Sequence, residues 1–374
     1  MAARRAWAEV DLAAIRHNAS LLVELASPAG LCAVVKASAY GHGSVAVAKA
    51  ALEGGATWLA VAIVEEGAVL RGHGIQAPIL LLSEPPATAM DDVVALRLTP
   101  TVYTQRAVEA AAKAVAAGGD APLDVHIKVD TGMHRVGAGA EEIPAIVRAV
   151  VDRPELNFGG LWTHFAVADD PGNPFTDTQC ARFDAVVAQL VEQGMRPPLV
   201  HACNSAGAIA HPGAHHDLVR CGISLYGVAP SLALAAAQPV EGLRPVLSLR
   251  ARVSYVREVG AGEAVSYGLR RPLERPSRIA TVPVGYADGV PWRLGVSGDV
   301  LIGGRRRPLA GSVTMDQILV DCGDDEGVLP GDEVVLIGRQ GNEHITAWEW
   351  ATHVGTIAYE ILCGIGARVP KIYG

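Results

Sequence analysis

Lysine is scarce in this sequence. The 31 basic residues among 374 include only five lysines: Lys36, Lys49, Lys113, Lys128 and Lys371. Lys36 ends the apolar run Leu31-Cys32-Ala33-Val34-Val35 and is followed by Ala37-Ser38-Ala39-Tyr40-Gly41-His42-Gly43. A lysine delivered by a strand end into an enclosed site is costly when charged. Its pKa is expected to fall there, which makes the amine a nucleophile able to form a Schiff base. The competing reading is a strand-end lysine whose stem lies on apolar surface while its head reaches water. The following residues favour chemistry, because Tyr40 brings a phenol and two glycines let backbone approach a ligand. The histidines of His211-Pro212-Gly213-Ala214-His215-His216 resemble a metal cluster, but they lie in a Pro/Gly stretch with no cysteine pair nearby and read as a loop. No Walker-type G-x-x-x-x-G-K-S/T stretch and no Cys-x-x-Cys pair occurs.

The elements that would position Lys36 follow from the texture of the chain. Eight apolar runs begin near residues 31, 58, 78, 97, 123, 158, 199 and 218, with amphipathic helical stretches between them. Asp11 is a plausible N-cap for the first helix, with Leu12, Ile15, Ala19 and Leu22 on one face. The runs are near-continuously apolar rather than alternating, as suits parallel strands buried on both faces. Eight such strands alternating with helices predict a (β/α)8 TIM-type barrel, whose active sites lie at the C-terminal strand ends. A doubly wound sheet is the rival, but no G-x-G-x-x-G follows the first strand. Beyond Gly227 a linker, 228–245, precedes short β-rich segments with glycine–aspartate punctuation, and a late helix is expected from about Ala347 to Leu362. The predicted division is 1–236 for a barrel and 237–374 for a mostly-β domain.

Composition removes whole classes of function. The chain is 50% hydrophobic and 19% charged with net charge −8, and its longest basic run is Arg305-Arg306-Arg307, which argues against nucleic-acid or anionic-membrane partners. No apolar stretch has the ~18 residues a membrane span needs. The N-terminal basic residues lack an apolar core behind them, and the six cysteines are scattered, so the expected place is the cytoplasm.

The segment Val34-Val35-Lys36-Ala37-Ser38-Ala39-Tyr40-Gly41-His42-Gly43 resembles the cofactor-lysine motif of the alanine racemases, pyridoxal-phosphate enzymes of fold type III. The likeness continues in order through HIKVDTGMHRVG (126–137), LWTHFAVAD (161–169), HACNSAG (201–207), LVRCGISLYG (218–227), AVSYG (264–268), VPVGYADG (282–289), GSVTMDQ (311–317) and GTIAYEILC (355–363). It implies a barrel carrying pyridoxal 5'-phosphate, a β-domain, and a homodimer with composite sites. It implies that Lys36 holds the cofactor and serves the D-isomer, while Tyr267 of the partner subunit serves the L-isomer from the opposite face. Racemisation removes a Cα proton on one face and returns one on the other, so two acid/bases are wanted. A tyrosine, with an ordinary pKa of about 10, needs tuning for that work. The resemblance assigns the tuning to His164, with Arg220 behind it.

By the same resemblance Arg220 faces the pyridine nitrogen of the cofactor. Arginine only donates, so that nitrogen stays an unprotonated acceptor, and transamination and decarboxylation are disfavoured. Tyr40, Ser205, Gly222, Ile223 and Tyr359 would bind the phosphate. The barrel count independently places Ser205 and Gly222 at strands seven and eight, where many such barrels bind phosphate. Arg135 would reach the substrate carboxylate, and Met315 and Tyr286 would line the substrate entrance. Asp316 and Asp288 would support them without carrying protons. Lys128 aligns with a lysine that many relatives carry as a carbamate; the alternative is a plain lysine paired with Asp124 or Asp130. No metal is expected.

Three positions depart from the family pattern: Ser38 where aspartate or asparagine is common, Thr314 where cysteine is common, and Ala358 where asparagine is common. The last would loosen specificity towards serine. The expected activity is interconversion of L- and D-alanine for peptidoglycan. The rivals are a broad-specificity amino-acid racemase, a diamino-acid decarboxylase with a carboxylate in place of Arg220, and a non-catalytic cofactor-homeostasis protein consisting of a lone barrel.

Overall fold

The computed structural model describes residues 6–118, 121–236 and 238–374. Arg4, Arg5 and Gly119, the last residue of one predicted helical stretch, lie outside the described residues. The chain divides into two compact units. Among the described residues, one comprises 13–39 and those within 44–244, and the other 6–12, 40–43 and 245–374.

The first unit is the barrel. Its eight strands are Gly30–Val34, Trp58–Val61, Ile79–Leu81, Thr101–Val102, Leu123–Lys128, Leu156–Trp162, Leu199–His201 and Leu218–Cys221. The first three and the last pair in parallel as one sheet, and the middle four as a second. Backbone bonds close the two seams. Leu81 N donates to Thr99 O at 2.9 Å on one side, and Arg220 N donates to Cys203 O at 2.9 Å on the other. Leu31, Cys32, Ala33, Leu59, Ala60, Val61, Ile79 and Leu80 are all fully buried, which is why these runs show no polar alternation. Helix Leu12–Ala26 begins directly after Asp11 and buries Ile15, Ala19 and Leu22.

The second unit is mostly β. A seven-stranded sheet runs in the order Arg305–Pro308, Asp299–Ile302, Glu333–Gln340, Leu247–Arg252, Ala6–Val10 and Lys371–Tyr373, with Glu343–Ile345 hairpinned onto Glu333–Gln340. A three-stranded sheet holds Tyr255–Val259, Ser277–Val282 and Ile318–Asp321.

Three features differ from the sequence-based expectation. The predicted late helix is two helices, Ala347–Val354 and Ala358–Cys363, because Gly355 takes the left-handed conformation (φ 75°) that ends the first. The N-terminal strand Ala6–Val10 joins the β unit, since it pairs antiparallel with Leu247–Arg252 and parallel with Lys371–Tyr373. The units divide after Arg244 rather than after residue 236. The end of the linker stays with the barrel because Asn18 exchanges bonds with Arg244, and Val240 and Leu243 pack with Leu21, Ala229 and Ile209.

Candidate active site

The barrel's C-terminal strand ends carry the predicted polar residues. Lys36 stands two residues past the first strand, and Lys128 is the last residue of the fifth. His164 follows the sixth, Ser205 opens the helix after the seventh, and Arg220 lies within the eighth with Gly222 and Ile223 just beyond.

Arg220 is the centre of this group. It is 2% exposed. Nη1 donates to His201 Nδ1 at 2.9 Å; Nη2 donates to Thr163 O and Ala202 O, both at 2.8 Å, and to His164 Nδ1 at 3.3 Å. Its guanidinium carbon lies 4.6 Å from the Trp162 ring centre. Every one of these partners is uncharged. Burial pulls the Arg220 pKa down to about 10, and the group remains cationic at neutral pH. A buried cation with only neutral partners attracts an electron-rich group placed against it.

His164 reads the same charge. Burial and then Arg220 hold its pKa well below the usual imidazole range, so it is neutral. Because arginine only donates, His164 Nδ1 is the acceptor and Nε2 carries the hydrogen. Its loop is fixed from the long helix Phe175–Glu192, where buried Gln179 donates to His164 O at 3.1 Å and accepts from Ala166 N at 2.8 Å.

Lys128 is buried, with Nζ 4.6 Å from the Trp162 ring centre. Burial, with Arg135, Arg220 and Lys36 repelling it, lowers its pKa to about 7 against a smaller opposing pull from Asp130. Asp130 instead accepts from Gly132 N and His134 N. Asp124, the other predicted partner, bonds Asn157 at 3.0 Å. Arg135 is exposed on the loop that follows.

The turn after the eighth strand gathers polar groups around Ser205. Ser205 Oγ accepts from Gly222 N at 2.9 Å and Ser224 N at 3.4 Å, and the fully buried Ser224 Oγ has no protein partner. The orphaned buried Ser224 hydroxyl, beside a serine that already gathers two amides, suits a phosphate oxygen, and the unneutralised Arg220 suits a pyridine nitrogen. Together with Lys36 these residues fit pyridoxal phosphate.

The backbone after Lys36 is unusual. Ala37, Ser38, Ala39 and Tyr40 all have φ between 52° and 54°, a left-handed turn without a glycine. Each such residue costs roughly 1–2 kcal/mol. The turn is held by Ala39 N donating to Val35 O at 2.9 Å and by Ala37 N donating to Glu66 at 2.6 Å.

In the β unit, Tyr40 and Tyr359 lie with ring centres 6.3 Å apart. Tyr267 is 77% exposed at the tip of a turn in which Ser266, Gly268 and Leu269 all have positive φ. That turn is clamped: Ser266 Oγ donates to Ser312 O at 2.7 Å, and Ser312 Oγ donates to Tyr267 O at 2.9 Å. Gly311 packs so closely that a Cβ there would meet Val265 O at 2.5 Å. The exposed Tyr286 and Met315 sit on two loops joined through Tyr286 N to Thr314 O and Ala287 N to Met315 O, both 3.0 Å. Arg368 spans Asp316 at 2.7 Å and Asp288 at 3.6 Å. Of the departures, Ser38 is exposed in the left-handed turn, Thr314 bonds Gln317, and Ala358 is fully buried. Of the three loop histidines, His215 bonds Ala208 O, while His211 and His216 stand 3.9 and 3.6 Å from the carboxylates of Asp177 and Asp184.

Sequence reasoning gave no role to His126, Trp162 and His201, the side chains on which Arg220 and Lys128 rest. For His126 a signal exists, since it lies two residues before Lys128 on one strand and so points to the same side; Trp162 and His201 carry none.

Two family models match, the alanine racemase N-terminal domain over residues 10–230 and the alanine racemase C-terminal domain over residues 246–373. The chain is 47% identical over 371 residues to an alanine racemase of Symbiobacterium thermophilum, covering 99% of this chain and 97% of that one. It is 45% identical over 370 residues to one of Carboxydothermus hydrogenoformans, covering 99% and 100%. Among solved structures it resembles the alanine racemase of a D-cycloserine-producing Streptomyces lavendulae, with TM-score 0.94, 38% identity and coverage of 100% and 98%. It also resembles the Bacillus anthracis enzyme with bound L-Ala-P, with TM-score 0.93, 39% identity and coverage of 100% and 96%. The chain belongs to the alanine racemase family.

Proposed function

We propose that this protein is a pyridoxal-phosphate-dependent isomerase that interconverts L- and D-alanine and supplies D-alanine for peptidoglycan. The observation that carries the reading is Arg220, a fully buried cation whose partners are two imidazole nitrogens and two carbonyls. When bound, the cofactor withdraws electrons from the substrate Cα and acidifies its proton. Arg220 limits that withdrawal, because a donor-only partner leaves the pyridine nitrogen unprotonated, which favours return of the proton over transamination.

Lys36 holds the cofactor and its amine takes or returns the Cα proton on one face. Tyr267 of the partner subunit does the same on the other. His164 donates its Nε2 hydrogen to that tyrosine's oxygen, and the Arg220 charge behind it favours the phenolate. Tyr40, Ser205, Gly222, Ile223 and Tyr359 bind the phosphate. Arg135 orients the substrate carboxylate, with Met315 and Tyr286 of the partner lining the entrance. Lys128, as a carbamate, holds Arg135.

The homodimer is part of this proposal. Tyr267, Tyr286 and Met315 are 77%, 45% and 53% exposed on the single chain, on loops held rigid by their own unit, as side chains meant for another copy would be. A cytoplasmic setting is supported by six free cysteines, four of them buried. No helix among the described residues is long and apolar enough to cross a membrane.

The test is incubation with L-alanine, L-serine or L-lysine in deuterated water, reading chirality and α-deuterium together. D-Alanine carrying α-deuterium, with little product from serine or lysine, is the expected result. Equal turnover of serine or lysine would move the reading to a broad-specificity racemase. Bound cofactor without exchange on any substrate would overturn it in favour of a homeostasis protein.

A further inference from the structure

Behind Arg220 lies a buried chain of two imidazoles. His201 Nδ1 faces Arg220 Nη1 at 2.9 Å, and His201 Nε2 faces His126 Nδ1 at 3.0 Å. Both rings are completely buried, and His126 Nε2 has no partner. Resting on the functional reading above, we propose that His126 is a positioning residue for Arg220, acting through His201 by fixing the direction in which hydrogens run along the chain.

The direction follows from donor arithmetic. Arginine has no acceptor, so His201 Nδ1 carries the lone pair. A neutral His201 then carries its hydrogen on Nε2 and donates to His126 Nδ1. His126 in turn carries its hydrogen on Nε2, where the chain ends in an unsatisfied buried donor. Burial keeps both rings neutral, pushing His126 down to about 3 and His201 well below the usual imidazole range. The reverse direction would set a His201 N–H against an Arg220 N–H.

Packing removes the other escape, rotation of the rings. His201 stacks on Trp162 with ring centres 5.6 Å apart and planes 6° from parallel. His126 is held by Trp58 at 5.2 Å, and by a backbone so close that a Cβ on Gly160 would come within 2.8 Å of its ring. An orphaned buried N–H is disfavoured, and its persistence here is explained by what the chain delivers at its other end. Arg220 is oriented by a neutral acceptor rather than a carboxylate, so its charge is undiminished toward the barrel mouth. The same guanidinium bonds His164, so both the cofactor and the tuning of Tyr267 depend on its plane.

The test compares His126→Asn, whose Oδ1 can replace the Nδ1 acceptor, with His126→Leu, which cannot accept. In the cofactor-loaded protein labelled with 15N-histidine, the wild-type His201 should show an unprotonated Nδ1 and a protonated Nε2. His126→Asn should keep that pattern and racemise within about threefold of wild type. His126→Leu should lose it, slow racemisation roughly tenfold or more, shift the absorbance of the bound cofactor and raise pyruvate formed per turnover. Equal losses in both variants would reduce His126 to packing and overturn the proposal, as would a wild-type partition of products in His126→Leu. Should the leucine variant not fold, a wild-type His201 protonated on Nδ1 overturns it alone. A wild-type protein that does not racemise alanine removes the functional reading instead, while the nitrogen spectra still decide the direction of the chain.

Discussion

Lys128 gives the most quantitative expectation. It is 2% exposed, faces the Trp162 ring, and its pKa falls from 10.5 to about 7 through burial and its cationic neighbours. The unfolded chain therefore binds more protons than the folded one between these values, so stability rises with pH across that window. The penalty is complete below the folded pKa and gone above the unfolded one. At pH 7 it amounts to roughly 4 kcal/mol, and at pH 10 to less than about 1 kcal/mol. Lys128→Met keeps the shape and removes the charge. In CO2-free buffer at pH 7 the variant should be more stable than wild type by about 2–4 kcal/mol, a ceiling lowered by relaxation around the ammonium. Urea unfolding at equal protein concentration and cofactor saturation measures the gap, which should close as pH approaches 10. Bicarbonate should close it too, and only through the wild type. On the proposed role of Lys128, its half-neutral amine would add to CO2, release a proton and become an anionic carbamate facing the charges of Arg135 and Arg220. A gap that does not vary with pH, or a wild type more stable than the variant at pH 7 without CO2, would refute this account of Lys128.

Other substitutions separate the proposed roles. Tyr267→Phe should bind cofactor normally yet lose α-deuterium exchange from L-alanine by on the order of 10²-fold or more, while retaining exchange from D-alanine; equal exchange from both isomers would contradict the two-base assignment. Arg220→Glu gives the pyridine nitrogen a proton-sharing partner, so pyruvate formed per racemisation, read with a coupled dehydrogenase, should rise. Ser38→Asn should raise the thermal midpoint, because asparagine adopts the left-handed conformation more readily than serine, for a gain of about 0.5 kcal/mol; calorimetry of the two proteins decides it.

How much was legible in the sequence varied with how local the cause was. The barrel could be read because each parallel strand is buried on both faces and announces itself as a short apolar run bounded by turns. Ala6–Val10 could not. Its alternating burial fits many short segments, and its partners Leu247–Arg252 and Lys371–Tyr373 lie at the far end of the chain. The helix break at Gly355 was visible in residue type but not in weight, since a glycine inside a helical pattern ends it only when the backbone turns left-handed. Lys36, Arg220 and His164 stand inside recognisable motifs. His126 and His201 are not legible that way, because a histidine inside an apolar strand reads as core until its partner on another strand is known.

Backbone strain lies beside three of the proposed site residues, Lys36, Arg135 and Tyr267, and is independent of motifs. Among the described residues nine non-glycine positions have positive φ: four follow Lys36, one precedes Arg135, two flank Tyr267, and Arg97 and His216 stand elsewhere. Such conformations persist only where the surroundings over-determine them. After Lys36 the surroundings are Glu66 and the Val35 carbonyl; around Tyr267 they are the reciprocal Ser266 and Ser312 bonds and the close approach of Gly311. None of these groups is a candidate proton carrier. Their work is to hold turns that relaxed backbones would abandon, and a proton carrier on a turn free to relax would not keep a constant distance from a Cα. The left-handed segment after Lys36 sums to about 4–8 kcal/mol on the per-residue scale, comparable with the whole net stability of a typical domain. So large a cost concentrated beside one of five lysines argues that the turn's shape, and not only the amine, is what the site requires.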